Sequence, residues 1–159
     1  MKAKITKTNV ARLLEQAKIS YELIPYEADE TDLSAIHLAT QLGEPVEQVF
    51  KTLVLKGDKT GHLICVIPGE HEVDLKLVAK ISGNKKCDLI PVKALLPLTG
   101  YVRGGCSPIG MKKHFPTYIH ASCSRYPYIC VSAGVRGLQL KIAPADLIRM
   151  AEAHVCMLY

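Results

Sequence analysis

Two strand-forming runs, Val49–Leu55 (VFKTLVL) and His62–Pro68 (HLICVIP), are joined by the link KGDKTG, and this pair restricts the chain more than any other feature. β-Branched and aliphatic residues on either side of a glycine- and aspartate-bearing link are the pattern of an antiparallel hairpin. The chain must therefore build a sheet with at least one antiparallel pair. Lys51 is the odd residue of the first run, a cation in an otherwise apolar strand. Taken alone it reads as a lysine on the outward face.

The segments around the hairpin set the fold class. Thr8 or Asn9 caps a first helix, with Val10, Leu13, Leu14 and Ala17 on one face. Ile19–Tyr26 (ISYELIPY) alternates as a strand, with Pro25 at its end or at an edge. Glu27–Asp32 is an acidic, solvated loop. Ser34 caps a second helix whose apolar face is Ala35, Leu38, Ala39 and Leu42, and Gly43 ends it; His37 lies off that face, exposed. Pro45 opens a helical turn through Gln48. Asp74 caps a third helix ended by Gly83, Lys85–Ile90 is a short strand, and Pro91 opens another helix. Thr117–Ala121, Tyr128–Ser132 and Leu138–Ala143 are strands; Pro144 opens a last helix through Ala153, and HVCMLY closes as a strand. With a hairpin early, strands clustered late and no regular βαβ alternation, the expected class is α+β with a mixed, largely antiparallel sheet. No repeat or linker interrupts residues 1–159, which read as one domain.

A chain of 159 residues that is 48% hydrophobic can bury a real core without staples. Its net charge of +5 is compatible with a polyanionic partner and does not require one. The six cysteines form no CxxC pair, and Cys65 and Cys130 sit inside apolar runs, so they read as buried small residues in a reducing cytosol. No apolar run reaches membrane length and no secretory leader is recognisable. The expected location is cytoplasmic, with no membrane contact.

Chemistry concentrates in Thr99–Lys113, TGYVRGGCSPIGMKK, which mixes four glycines, a proline, a tyrosine and three cations. Such a loop can hold backbone N–H groups in a concave array suited to a developing negative charge; its plainer reading is a tight structural turn. A second glycine-bearing loop, AGVRG, lies between the strands at 128–132 and 138–143. Zinc-binding HExxH, P-loop, dinucleotide and GxSxG patterns are all absent, and the histidines have no ligand spacing, so no cofactor or metal is expected. Cys106 beside Ser107, with His114 downstream, is the one nucleophilic pair the loop offers, and chance accounts for it. What remains is a site of backbone donors, one lysine and several tyrosines, suited to a substrate that brings part of its own chemistry.

Four segments in order carry a resemblance: VARLLEQAKISYELIPYE, VFKTLVL, TGYVRGGCSPIGMKK and VSAGVRGLQLKIAPADL. Together they resemble the YbaK/EbsC family of aminoacyl-tRNA deacylases, relatives of the editing insertion of bacterial prolyl-tRNA synthetases. The resemblance runs from about Thr8 to the C-terminus. It implies a mixed, partly barrel-like sheet with helices around it, and metal-independent hydrolysis of mischarged aminoacyl-tRNA, above all Cys-tRNA(Pro). It implies catalytic roles for Lys51, which would hold the terminal nucleotide's charge and orient the ester, and for Gly104 and Gly105. With Ser107 and Pro108, these glycines match the loop whose N–H groups face the substrate carbonyl. Tyr26, Tyr101, Ser132 and Gly134 match substrate-binding positions. In the cysteine-specific branch the substrate's own thiol is thought to attack the ester. The partners implied are mischarged tRNA and a prolyl-tRNA synthetase.

The sequence departs from the family pattern at Cys106, where an aliphatic residue is usual, at Ala133 and Val135 in the second loop, and at Gln139, where some relatives have aspartate. The departure at Cys106 argues against a general catalytic role for that residue; those in the second loop and at Gln139 bear on amino-acid preference and local substrate contacts and leave Lys51 and the glycine loop intact. Three alternatives stay open on the sequence: a deacylase for another small amino acid such as alanine, a non-catalytic tRNA- or synthetase-binding module, and a thiol hydrolase using Cys106.

Overall fold

The computed structural model describes residues 7–29 and 31–159; Glu30 of the acidic loop and the first six residues lie outside them. Five α-helices, α1 (Asn9–Gln16), α2 (Ala35–Leu42), α3 (Leu75–Ser82), α4 (Val92–Thr99) and α5 (Pro144–Ala151), surround eight strands. The strands are β1 (Glu22–Pro25), β2 (Phe50–Gly57), β3 (Gly61–Pro68), β4 (Cys87–Leu89), β5 (Thr117–His120), β6 (Ile129–Ser132), β7 (Leu138–Ile142) and β8 (Ala153–Cys156). They form a three-stranded sheet, β1-β7-β6, and a five-stranded sheet, β4-β2-β3-β5-β8. The small sheet is antiparallel throughout. The large one is antiparallel at β2–β3 and β2–β4 and parallel at β3–β5 and β5–β8. The α+β class with a mixed, mainly antiparallel arrangement is as expected. The sheets meet at an isolated parallel bridge, Val49 to Cys130, and do not close, so barrel-like character goes no further than this contact.

Local chemistry explains the elements. Thr8, Ser34 and Asp74 each accept a backbone N–H at a helix N-terminus, and Gly43 and Gly83 end α2 and α3 with left-handed backbone. The hairpin forms as expected and runs longer, from Phe50 paired with Pro68 to Gly57 paired with Gly61. Its turn is held from outside: buried Asn84 accepts the N–H groups of Lys59 and Thr60, both at 2.9 Å. A Cβ on Gly57 would collide with the Asn84 side chain, so this glycine is fixed by packing.

Several boundaries differ from the sequence reading for identifiable reasons. After α1 the chain turns through Lys18, with φ at 59°, and the Ile19 N–H bonds back to the Leu14 carbonyl. Ile19 is thereby buried in the core and the strand begins only at Glu22. Glu152, with φ at 51°, likewise stops α5 and lets β8 start at Ala153. His37 is half-buried rather than exposed, 3.3 Å from Asp29. A 3-10 turn at Ala121–Arg125, unforeseen from sequence, follows β5.

Strand alternation divides the core. Phe50, Val54, Ile64, Val66 and Ile119 of the large sheet pack with Val131, Leu140 and Ile142 of the small one, with Val10 and Leu14 of α1, and with Leu147 of α5. Leu55, Leu63, Cys65 and Ile67 face the other way, against Val78 and Ala79 of α3 and against Leu158. Lys51 lies in this second set by register, paired with Ile67. Five of the six cysteines are buried and all six are free.

Candidate functional site

The glycine loop after α4 is tied to itself. Gly100 ends α4 with φ at +86°, and Gly104 and Gly110 are also left-handed, as a loop that reverses this sharply requires. The Tyr101 hydroxyl donates to the Ile109 carbonyl at 2.6 Å, and the Tyr101 N–H donates to Thr99 Oγ1 at 3.1 Å. Thr99 in turn donates to the Leu95 carbonyl, and the Lys112 N–H donates to the Thr99 carbonyl. Ser107 is fully buried and its Oγ accepts the Ile109 N–H.

The second loop, between β6 and β7, packs on the first. A Cβ on Gly105 would lie 3.1 Å from the Arg136 N and the Val135 carbonyl carbon, so the two backbones meet there without room for a side chain. A Cβ on Gly134 would lie 3.3 Å from the Tyr101 ring. Arg136 Nε donates to the Arg103 carbonyl at 2.6 Å. The two glycine loops are one structural unit.

A cavity of about 490 Å³ opens beside this unit. One wall is Val49 and the start of β2, Phe50 to Leu53. Strand β4 reaches only Leu55–Gly57 of β2, so along Phe50–Leu53 this edge of β2 has no ladder partner among the described residues. Arg103, Gly104 and Cys106 of the first loop, Ser132 and Gln139 of the small sheet, and Leu33–Ala35 and Leu38 around the start of α2 complete the lining. Ser132 and Gln139 are register partners, so both side chains leave the same face of the small sheet.

The electrostatics of the lining are specific. Lys51 is half-buried; burial lowers its pKa, and the Glu72 carboxylate partly opposes that shift. Among the described residues no Asp or Glu lines the cavity. Thr52 Oγ1 and Gln139 Oε1 are buried and make no hydrogen bond within the described residues. An unmade bond at such an atom costs about 1–3 kcal/mol, so the lining residues Thr52 and Gln139 carry polar atoms whose hydrogen bonding the described residues leave incomplete. The Gly104 N–H has no partner among the described residues, whereas the Gly105 N–H donates to the Val102 carbonyl at 2.9 Å.

The residues singled out from sequence fall into three groups. Lys51, Gly104 and Ser132 line the cavity together. Tyr26 lines a small adjoining pocket across Leu33, Ser34 and Leu38, which also reaches Gly104. Gly105, Ser107, Pro108, Tyr101 and Gly134 do not line the cavity and form the scaffold behind it. Thr52 and the residues at the start of α2 were missed; a threonine in a strand and a capped helix carry no local mark of a site. Gln139 was noted only as a departure, and its unsatisfied burial makes it a site residue.

Cys106 lines the cavity at 8% exposure, and burial pushes its thiol up to about 12, so it holds no thiolate near neutrality. His114 is turned to Glu152 at 3.2 Å on the surface. The described residues contain no group of three His, Cys, Asp or Glu arranged to hold a metal. No helix among them is long and apolar enough to cross a membrane.

Comparison with known proteins gives the family and the fold of the chain. The profile of the aminoacyl-tRNA editing domain matches residues 31–150. A protein of Enterococcus faecalis (strain ATCC 700802 / V583) named "Putative Cys-tRNA(Pro)/Cys-tRNA(Cys) deacylase EbsC" is 49% identical over 148 residues, 93% of this chain and 90% of that protein. Among solved structures, one described as a "putative trans-editing enzyme for prolyl tRNA synthetase" superposes with TM-score 0.82 at 23% identity, covering 96% of this chain and 98% of its own. Another, of a hypothetical protein, gives TM-score 0.85 at 19% identity, covering 94% and 97%. The two structures share the fold.

Proposed function

The chain belongs to the aminoacyl-tRNA editing domain family, and from that premise we propose that it is a trans-acting deacylase that clears mischarged tRNA, with Cys-tRNA(Pro) as its substrate. The observation that carries the reading is the cavity: Lys51, Gly104, Ser132 and Gln139, from four separate segments, line one space of the size that small ligands fill. The 49% identical relative supports the class of substrate.

In this reading the aminoacyl end of the tRNA enters between β2 and the glycine loop. The Lys51 ammonium holds the negative charge of the terminal nucleotide and fixes the ester beside the loop. The Gly104 N–H, without a partner among the described residues, donates to the carbonyl oxygen as charge develops on it. Gln139 and Thr52, lining residues whose side-chain oxygens lack a partner among the described residues, take the amino group of the substrate. The cysteinyl thiol loses its proton and its sulfur bonds to the ester carbonyl carbon of the same residue. The bond from that carbon to the ribose oxygen breaks, and the oxygen takes up a proton. A four-membered thiolactone and free tRNA result, and water opens the thiolactone. No protein nucleophile is needed, in keeping with a protonated Cys106. Recognition of tRNA(Pro) falls to a prolyl-tRNA synthetase as partner, in the cytoplasm.

The test is a deacylation panel of Cys-tRNA(Pro), Cys-tRNA(Cys) and Ala-tRNA(Pro). Release is expected to be fastest from Cys-tRNA(Pro). Equal or faster release from Ala-tRNA(Pro) moves the assignment to another small amino acid. Release no faster than in buffer from all three removes the enzyme reading.

A further inference from the structure

Three aromatic rings form a pile on the same sheet face as Lys51, and no step of the proposed reaction uses them. Tyr159 lies between two imidazoles: 4.2 Å from His71 at an interplanar angle of 6°, and 3.9 Å from His120 at 5°. His120 anchors the inner end at 3% exposure, with its Nδ1 accepting the Ser122 N–H. His71 forms the outer end, with its side chain 46% exposed.

Register places the pile beside the cavity. Lys51 pairs with Ile67, Val66 pairs with Ile119, and His120 pairs with Cys156. One residue further along the parallel ladder, His120 stands level with Ile67. Lys51, Ile67, His120 and Cys156 thus make one row across the sheet, on the face that carries Leu158. Lys51 and His120 are two strand spacings apart, about 10 Å. The loop that carries His71 begins at Gly69, which lines the cavity, and continues to Glu72, whose charge acts on Lys51.

We infer that the outer face of His71 is a stacking platform for the terminal nucleobase of the tRNA acceptor end. This inference rests on the deacylase reading. A terminal nucleotide held at Lys51 by its charge must put its base within about a nucleotide's width, and His71 stands two residues from Gly69 of the cavity lining and next to Glu72, whose charge acts on Lys51. Every base offers a π-face to such a ring, and stacking of this kind is a common way to hold an unpaired base. Charge decides which part of the nucleotide fits. Glu70 and Glu72 flank His71, with Glu70 Oε1 4.0 Å from His71 Nε2. They repel a phosphate and can accept from the exocyclic amine of adenine, while Lys51 is the cation that takes the phosphate. The chain beside Tyr159 is anchored, since Leu158 is fully buried and its carbonyl accepts the Asp74 N–H at 2.8 Å, and His71 stacks on Tyr159 without a ligand. The base therefore meets a ring already in place, with little ordering cost.

The experiment compares wild type, His71→Ala and His71→Phe on two Cys-acylated microhelix RNAs, one with an intact terminal adenosine and one whose terminal ribose lacks its base. The expected loss in kcat/KM for His71→Ala is about tenfold on the intact substrate, carried by KM, with His71→Phe restoring most of it. On the base-free substrate all three proteins are expected to be equal. If His71→Ala matches wild type on the intact substrate, or loses the same factor on both, the ring has only a structural role and the inference is overturned. If wild type cleaves neither substrate, the deacylase reading itself fails. The stacking claim is then read from the His71 ring proton resonances on titration with the trinucleotide CCA: an upfield shift supports it, and no shift refutes it.

Discussion

The Tyr101 hydroxyl reaches across eight residues of its own loop to donate a 2.6 Å hydrogen bond to the Ile109 carbonyl. Ile109 is buried, so this bond both satisfies a carbonyl that water cannot serve and fixes the shape of the loop that carries Gly104. Tyr101→Phe keeps the ring and removes the donor. The expected result is a loss of about 1–2 kcal/mol of stability, with deacylation falling on the order of tenfold as Gly104 loses its fixed position. Chemical denaturation and a single-turnover assay on one preparation check both; full activity would show that the loop holds its shape without this bond.

Gly105→Ala tests the contact between the two glycine loops. The added methyl would meet the Val135–Arg136 backbone at 3.1–3.2 Å, where neither chain has a flexible end to move. A destabilisation of about 1–3 kcal/mol is expected, together with reduced activity although the Gly105 N–H faces the Val102 carbonyl and not the cavity. A variant as stable and active as wild type would contradict the close approach.

Much of the fold could be read from the chain because its signals are local. The caps at Thr8, Ser34 and Asp74, the stops at Gly43 and Gly83, and the hairpin around KGDKTG each depend on residues a few positions apart. What could not be read depends on distant partners. Lys18 and Glu152 adopt left-handed backbone without being glycine, and the parallel β3–β5–β8 order joins segments with no shared pattern. The site divides the same way. Composition marked the glycine loop, but only the tertiary arrangement separates Gly104 in the lining from Gly105, Ser107 and Pro108 behind it. It also turns Gln139 from a departure into a buried, unpaired acceptor.

Gln139→Leu should separate stability from function. Removing a buried amide oxygen with no partner among the described residues is expected to leave the melting temperature unchanged or raised. The same change should lower kcat/KM for Cys-tRNA(Pro) by about tenfold, since the substrate amino group loses its acceptor. A fall in melting temperature without loss of activity would show that the amide serves packing instead.

Cys106→Ser is expected to stay within about threefold of wild-type activity, because a thiol held up to about 12 by burial supplies no nucleophile near neutral pH. Loss of more than a hundredfold would restore the thiol-hydrolase alternative.

Lys51 gives a pH-dependent signature. Burial depresses its folded pKa below the ordinary 10.5, so its favourable contribution is present above 10.5 and is lost as pH falls through the folded value. At pH 7 the charged side chain therefore costs stability, and Lys51→Met escapes that cost. The variant should melt no lower than wild type at pH 7, and any gap should narrow as pH rises through the lowered pKa. A gap that widens with pH would contradict the burial.

The most direct measurement is single-turnover deacylation of Cys-tRNA(Pro) by wild type and Lys51→Met, with the folded state of both verified by melting. Wild type should release tRNA far faster than buffer, and Lys51→Met should be slower by at least about a hundredfold while remaining as stable. A Lys51→Met protein that turns over within a few-fold of wild type would contradict the account at its centre.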